Sequence, residues 1–308
     1  MAKKEYAMLK KHIIDQFQPG NTFTESEIEY EVIDYSDIGK PRPATGGGEC
    51  KTDVYVKAHS ESGVREITLS VKRKSSNEFQ ANKLKPETAE AYFGNGWETI
   101  VKTAALSIKD KFLTSELINA GGNGRTEPSS FILGWKLEVA NKKRKLCVKI
   151  PLDNNKIRDF VYKGVNQPEN KINAAVNGRI IPGSGIAHYL IKTEEESINS
   201  AQDVIDQMQD IDECEIGETY LIFTANNYRL LSGKTDGNRN LAVAIKWECL
   251  NGKLVPEFIF NEPLGNTGGK DMKPYLVEAL SELGFHEGDS LPDNFVAQYL
   301  STEYRTRI

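Results

Sequence analysis

Residues 46 to 76 hold the side chains best suited to chemistry. Gly46-Gly47-Gly48-Glu49-Cys50-Lys51-Thr52-Asp53 leads into Val54-Tyr55-Val56, and after a polar turn comes Ile67-Thr68-Leu69-Ser70-Val71-Lys72. The pattern reads as a glycine-rich loop followed by a β-hairpin, with Asp53 starting the first strand and Lys72 ending the second. Ser70 and Lys72 are two residues apart, which places them on one face of a strand. A carboxylate, a second oxygen group and an ammonium at the open end of a hairpin can hold Mg²⁺ and activate water against a phosphodiester. Serine stands where such a site usually has a glutamate, and a neutral hydroxyl is a weaker metal ligand. Two acids could complete the set: Glu49, in the loop before Asp53, or Glu87, at the start of the helix after Lys72. Glu87 is preferred, because a helix is the firmer anchor.

The elements that must position these groups follow from periodicity. Residues 4 to 17 place Tyr6, Leu9, Ile13 and Ile14 at helical spacing, ended by Pro19-Gly20. Thr24-Glu25-Ser26-Glu27 resembles a helix cap, opening a helix or an extended stretch to about Tyr35. Pro86 begins a helix that runs to about residue 113 with a break at 94–96. A loop at 119–130 precedes a second expected hairpin, 131–139 with 145–150, turning at Asn141-Lys142-Lys143. Residues 151–175 show little periodicity. A strand is expected near 191 and a short helix over 200–211. After Gly217 the pattern is β-rich, with Asn251-Gly252 as a hairpin turn. Helices are expected over 273–283 and 294–300. The fold class is α/β in the α+β sense, with a central mixed sheet flanked by helices and a β-rich C-terminal portion. A division into 1–118 and 119–308 is expected, with a single domain as the alternative.

The 308 residues carry a net charge of −5, 39% hydrophobic and 27% charged residues, and no apolar run of membrane-spanning length. The first residues lack the apolar core of a secretory signal, so the expected location is the cytoplasm. The four cysteines and four histidines are scattered without ligand or disulfide spacing. Gly265 to Asp271 has only a superficial likeness to a nucleotide-binding loop. The net charge argues against a non-specific nucleic-acid binder. The charge is segregated, however. Lys72, Arg73, Lys74, Lys83 and Lys85 gather in one run and Lys142, Lys143, Arg144, Lys145 and Lys149 in another, although either run could be a solvated face.

The layout resembles the PD-(D/E)xK nuclease superfamily, and within it the type II restriction endonucleases of the MspI kind. The residues that carry the likeness are Gly47-Gly48-Glu49-Cys50-Lys51-Thr52-Asp53, then Ser70-Val71-Lys72, then Arg73-Lys74-Ser75-Ser76. They span about 40 of the 308 residues. The resemblance implies a restriction-endonuclease-like core and a Mg²⁺-dependent enzyme that cuts double-stranded DNA at a short sequence and leaves 5′-phosphates. Asp53 would ligate the metal, Lys72 would orient water, and Glu87 or Glu49 would complete the site beside Ser70. Two alternatives stand beside it: a structure-specific repair or phage nuclease of the same superfamily, and a non-catalytic DNA-binding protein with a decayed site.

DNA contacts are expected from side chains that can pair with base edges or phosphates. These are Lys51, Arg73, Lys74, Ser75, Ser76 and Asn77 around the hairpin; Asn123 and Arg125; Lys142, Lys143 and Arg144; and Asn227, Arg229, Lys234 and Arg239. The last group could equally form a plain polar hairpin loop. Enzymes of this kind mostly act as homodimers on DNA, and no membrane partner is expected.

Overall fold

The computed structural model describes residues 2–74, 80–81, 84–121, 126–265 and 267–305. The chain is α+β and divides into two compact units, each assembled from two separate segments. The first takes residues 1–79 and 153–217, the second 80–152 and 218–308. Residues 118 and 119 both fall inside the second unit, where the helix Trp97–Ser107 packs against the strand Cys147–Ile150.

The first unit is built on a mixed sheet. Helix α1 (Ala2–Asp15) precedes strands β1 (Thr22–Glu25), β2 (Ile28–Glu31) and β3 (Ile38–Gly39). The predicted hairpin follows as β4 (Val54–Ser60) and β5 (Gly63–Arg73), in register from Val54 opposite Leu69 to Ser60 opposite Gly63. Strand β6 (Tyr189–Thr193) then pairs with β5 in parallel, setting Ser70 beside Leu190 and Lys72 beside Lys192. Every other pairing in this sheet is antiparallel. Alternation sends Ile67, Leu69 and Val71 of β5 and Val54 and Val56 of β4 into a core with Leu9 and Ile13 of α1 and Phe17 just after it. Val204 and Ile205 of helix α2 (Ala201–Gln207) join the same core. Thr68, Ser70 and Lys72 are thereby turned to the opposite face.

The second unit is a separate antiparallel sheet. Its main path runs Lys234–Thr235, Thr219–Arg229, Ser130–Ala140, Val243–Leu250, Lys253–Ile259. Helix Gly269–Glu282 packs against Val243–Leu250. Phe112 sits edge-on against Trp135 and Phe223 in the core of this unit. The expected helix after Pro86 is present as Pro86–Phe93, Trp97–Ser107 and Lys109–Leu113, broken at 94–96 as anticipated. The Asn251-Gly252 turn closes its hairpin with both residues at positive φ, the geometry for which that dipeptide is favoured.

Three local readings change. Of the two alternatives after Thr24 the extended one holds and the helix cap does not: Thr24 and Glu25 end β1, and Ser26 and Glu27 turn the chain into β2 with φ of 50° and 65°. Phe23 stacks on Tyr30 across the pair and meets Phe17 edge-on, so aromatic packing outweighs the capping signal. Ser130–Ala140 and Cys147–Ile150 do not pair with each other, because strand Thr219–Arg229 lies between them and pairs with both. The aperiodic 151–175 region contains helix Asn154–Lys156 running into a π-helical stretch, Ile157–Lys163, that buries Ile157, Val161 and Tyr162. Ile13 is fully buried where α1 meets the sheet. Ile13→Ala should destabilise the first unit by about 2–5 kcal/mol, read as a lower urea midpoint.

Candidate phosphate-handling site in the first unit

The backbone fixes Asp53 before its side chain makes any contact. Its N–H donates to the Leu69 carbonyl at 2.8 Å, continuing the hairpin ladder by one residue. Leu69 is also the residue opposite Val54, where the hairpin register begins. One carboxylate oxygen, Oδ2, accepts from the Val71 N–H at 2.9 Å. The other, Oδ1, lies 2.5 Å from the Lys10 ammonium of α1. The structure thus adds a residue the sequence reading missed.

Lys10 is held by its own helix. Tyr6, one turn earlier on the same side of α1, donates its hydroxyl to the Val71 carbonyl at 2.6 Å, and the Lys10 ammonium rests 4.9 Å from the Tyr6 ring centre. Burial and the nearby Asp53 charge push the Tyr6 phenol well above its usual range, so it stays a hydroxyl donor. No sequence signal marks Lys10. It lies 43 positions before Asp53 in a lysine-rich helix, and only the docking of α1 on β5 joins them.

Lys72 is half-buried, and burial is the largest cause holding its ammonium below the ordinary lysine range; Asp53 opposes that shift and Lys10 adds to it. Lys51 belongs to the same group. Its stem passes over Gly164, a glycine at φ +77° where an added Cβ would lie 2.4 Å from the Lys51 Cγ. Burial pulls the Lys51 ammonium down to about 8, with Lys72 and Lys171 adding to the shift and Asp53 opposing it. Ser70 is buried on the shared face. Around Asp53 the structure therefore brings together Lys10, Lys51 and Lys72, with Lys171 acting from the segment beyond Pro168.

The two candidate second acids are placed differently. Glu49 pairs with Lys40 at 3.0 Å, which lowers its carboxyl pKa, and the charges of Lys10 and Arg42 also act on it. It is thus in the neighbourhood of Asp53 but turned to its own partner. Glu87 lies in the second unit, exposed, in the first turn of Pro86–Phe93 and 3.3 Å from Lys85. Among the described residues, no three His, Cys, Asp or Glu side chains gather into a ligand cluster. Mg²⁺ is commonly held by only one or two carboxylates, with waters and substrate phosphate oxygens filling the rest of its shell. Asp53 fits as the protein ligand of a cation that arrives with its phosphate.

The expected DNA-contacting residues fall into several places. Arg73 is tied to Glu5 at 2.6 Å and Glu194 at 2.9 Å, which makes it a brace between α1, β5 and the chain after β6. Lys74 is exposed. Ser75, Ser76, Asn77, Asn123 and Arg125 lie outside the described residues. In the second unit, Lys142, Lys143 and Arg144 are exposed in the connection after Ser130–Ala140, with Arg144 3.8 Å from Glu138. Asn227 and Arg229 converge on Asp236: its Oδ2 accepts from the Asn227 backbone N–H and side-chain amide, and its Oδ1 from Arg229. Arg229 also pairs with Glu127 at 3.3 Å. Lys234 is exposed opposite Arg229, and the half-buried Arg239 carries charge toward Lys136.

The depressed Lys51 pKa has a consequence for stability. Below about pH 8 the folded and unfolded chains both carry this proton, and the whole cost of burying the charge is present. Between about 8 and 10.5 the unfolded chain binds more protons, so this contribution raises stability as pH rises. Above that window the cost is gone. Lys51→Met should therefore stabilise the protein near pH 7 by about 1–2 kcal/mol, after allowance for the exposure that remains. The advantage should fade toward pH 10.5, as followed by chemical denaturation across that range. In comparisons with known proteins, no family model, no curated protein and no solved structure matches the chain.

Proposed function

We propose that this chain is a Mg²⁺-dependent endonuclease of the PD-(D/E)xK type that cuts double-stranded DNA at a specific sequence and leaves 5′-phosphates. The observation that carries the reading is the grouping of Asp53 and Lys72 at the open end of one hairpin, with Lys51 and Lys10 beside them. Three ammonium groups around one carboxylate suit a phosphate diester, whose charge they would offset and whose position they would fix. Lys72 carries a depressed pKa at the end of a rigid strand, where it can hold a water and take part in its deprotonation. Ser70, on the same face, can donate a hydrogen bond to a phosphate oxygen. A bound Mg²⁺ on Asp53 would supply Lewis-acid stabilisation of the developing charge. Glu49, the acid nearer in the chain and one on which the Lys10 charge acts, is the better candidate to support that ion.

Base reading would fall to the polar residues of the second unit. There Asp236 pre-orients Asn227 and Arg229, and Lys234 and Arg239 supply charge. Lys142, Lys143 and Arg144 would contact the DNA backbone. Cutting both strands would use a homodimer. A cytoplasmic location fits this role, and no described helix is long and apolar enough to cross a membrane.

A second reading is favoured by two specific features: serine in the usual acid slot, and a carboxylate already neutralised by Lys10. It makes the chain a DNA-binding protein with a decayed site. Incubation with phage or plasmid DNA, with and without Mg²⁺, separates the two. Discrete Mg²⁺-dependent bands support the proposed function, a smear or a preference for branched substrates points to a structure-specific nuclease, and a gel shift without cutting supports the decayed site. Asp53→Asn and Lys72→Met should each lower the cleavage rate by about 10²-fold or more with binding retained. Normal cutting by either variant would overturn the site. Glu49→Gln and Glu87→Gln, assayed separately, identify the second acid.

A further inference from the structure

The Asp53 carboxylate has a cation partner within the chain itself. The Lys10 and Asp53 side chains are only 15% and 10% exposed, so their 2.5 Å contact is little screened by water. Lys10 rests on the Tyr6 ring, which is itself anchored on the Val71 carbonyl. Asp53 is fixed by the Leu69 carbonyl and the Val71 N–H. Oδ2 faces a backbone donor, which leaves Oδ1 as the oxygen a divalent ion would take, and Lys10 is already on it. An ammonium and a dication cannot share that oxygen at contact distance without strong repulsion.

We propose that Lys10 is a built-in counter-ion of Asp53 that stands in the position of the catalytic cation and must be displaced before that cation can bind. This rests on the nuclease reading above and goes beyond it, because it makes metal loading dependent on DNA. An incoming phosphate diester gives the Lys10 ammonium an alternative anion. The same phosphate supplies oxygens to the dication, so the two exchanges occur together. In free protein Lys10 keeps Asp53 satisfied and the site weak for metal, which limits cutting without a correctly seated substrate. In this scheme Lys10 pairs with Asp53 in the free protein and with the phosphate once substrate is seated.

The test measures Mn²⁺ binding to the full chain without DNA, by calorimetry, for wild type, Lys10→Met, Lys10→Arg, Asp53→Asn and the double variant K10M/D53N. Lys10→Met should bind Mn²⁺ about tenfold or more tightly than wild type, by the same logic through which a neighbouring cation disfavours a second positive partner on a carboxylate. Lys10→Arg, which keeps the charge, should bind as weakly as wild type. Asp53→Asn and the double variant should lose the site. Circular dichroism confirms that each variant is folded, and Lys10→Arg separates loss of charge from loss of packing. If Lys10→Met binds Mn²⁺ no more tightly than wild type while wild type cuts plasmid DNA, the counter-ion role is wrong and the nuclease reading stands. If wild type and Lys10→Met both fail to bind Mn²⁺ and both fail to cut, the two fall together.

Discussion

The contact between α1 and the end of β5 is the constraint on which the site depends. Tyr6 reaches the Val71 carbonyl, Lys10 reaches Asp53, and Asp53 returns to the Val71 N–H. These bonds close a loop through one residue, Val71, whose side chain is itself fully buried under α1. Apolar packing holds the helix against the sheet, and the polar contacts set its rotation and height. Removing a partner of a poorly hydrated ion pair leaves an uncompensated charge, which costs more than the pair itself contributes. The stability of the helix–sheet contact and the shape of the candidate site therefore depend on the same few atoms.

The surroundings of Asp53 are unusual for a chain with net negative charge. Lysines accumulate around one carboxylate, and burial and mutual repulsion hold two of them, Lys51 and Lys72, below their usual pKa. A fold tolerates such crowding when the rest of the unit is well packed, and the core of α1, β4, β5, β6 and α2 supplies that packing. Repulsion of this kind would be offset by any anionic group brought among the lysines.

Much of this was legible in the sequence, and the boundary of legibility has physical causes. The β4–β5 hairpin, the Asn251-Gly252 turn and the helix beginning at Pro86 are encoded by short-range patterns: alternation, turn dipeptides and the proline preference for a first helical position. The failures involve partners distant in sequence. Strand Thr219–Arg229 lies between Ser130–Ala140 and Cys147–Ile150, about 70 residues earlier, and no local pattern reports an inserted neighbour. Ser26 and Glu27 looked like a helix start because polar and acidic residues favour caps and turns alike; the choice was made by Phe23 against Phe17 and Tyr30. The closeness of Asp53 and Lys72 could be read from the hairpin, whereas that of Lys10 needed the helix to be docked first.

The parallel pairing of β5 with β6 carries a consequence for how the protein is made. The hairpin is complete once the ribosome has passed Arg73, but the strand that covers its outer edge ends at Thr193. Between these points the chain enters and leaves a different compact unit. During synthesis at about 5–20 residues per second, the edge of β5 waits several seconds without its partner. An unpaired, apolar strand edge is a template for pairing with another chain. Lys72, Arg73 and Lys74 sit at the end of that edge, where repulsion between nascent copies opposes such pairing. These charges thus guard the strand while the sheet is still incomplete.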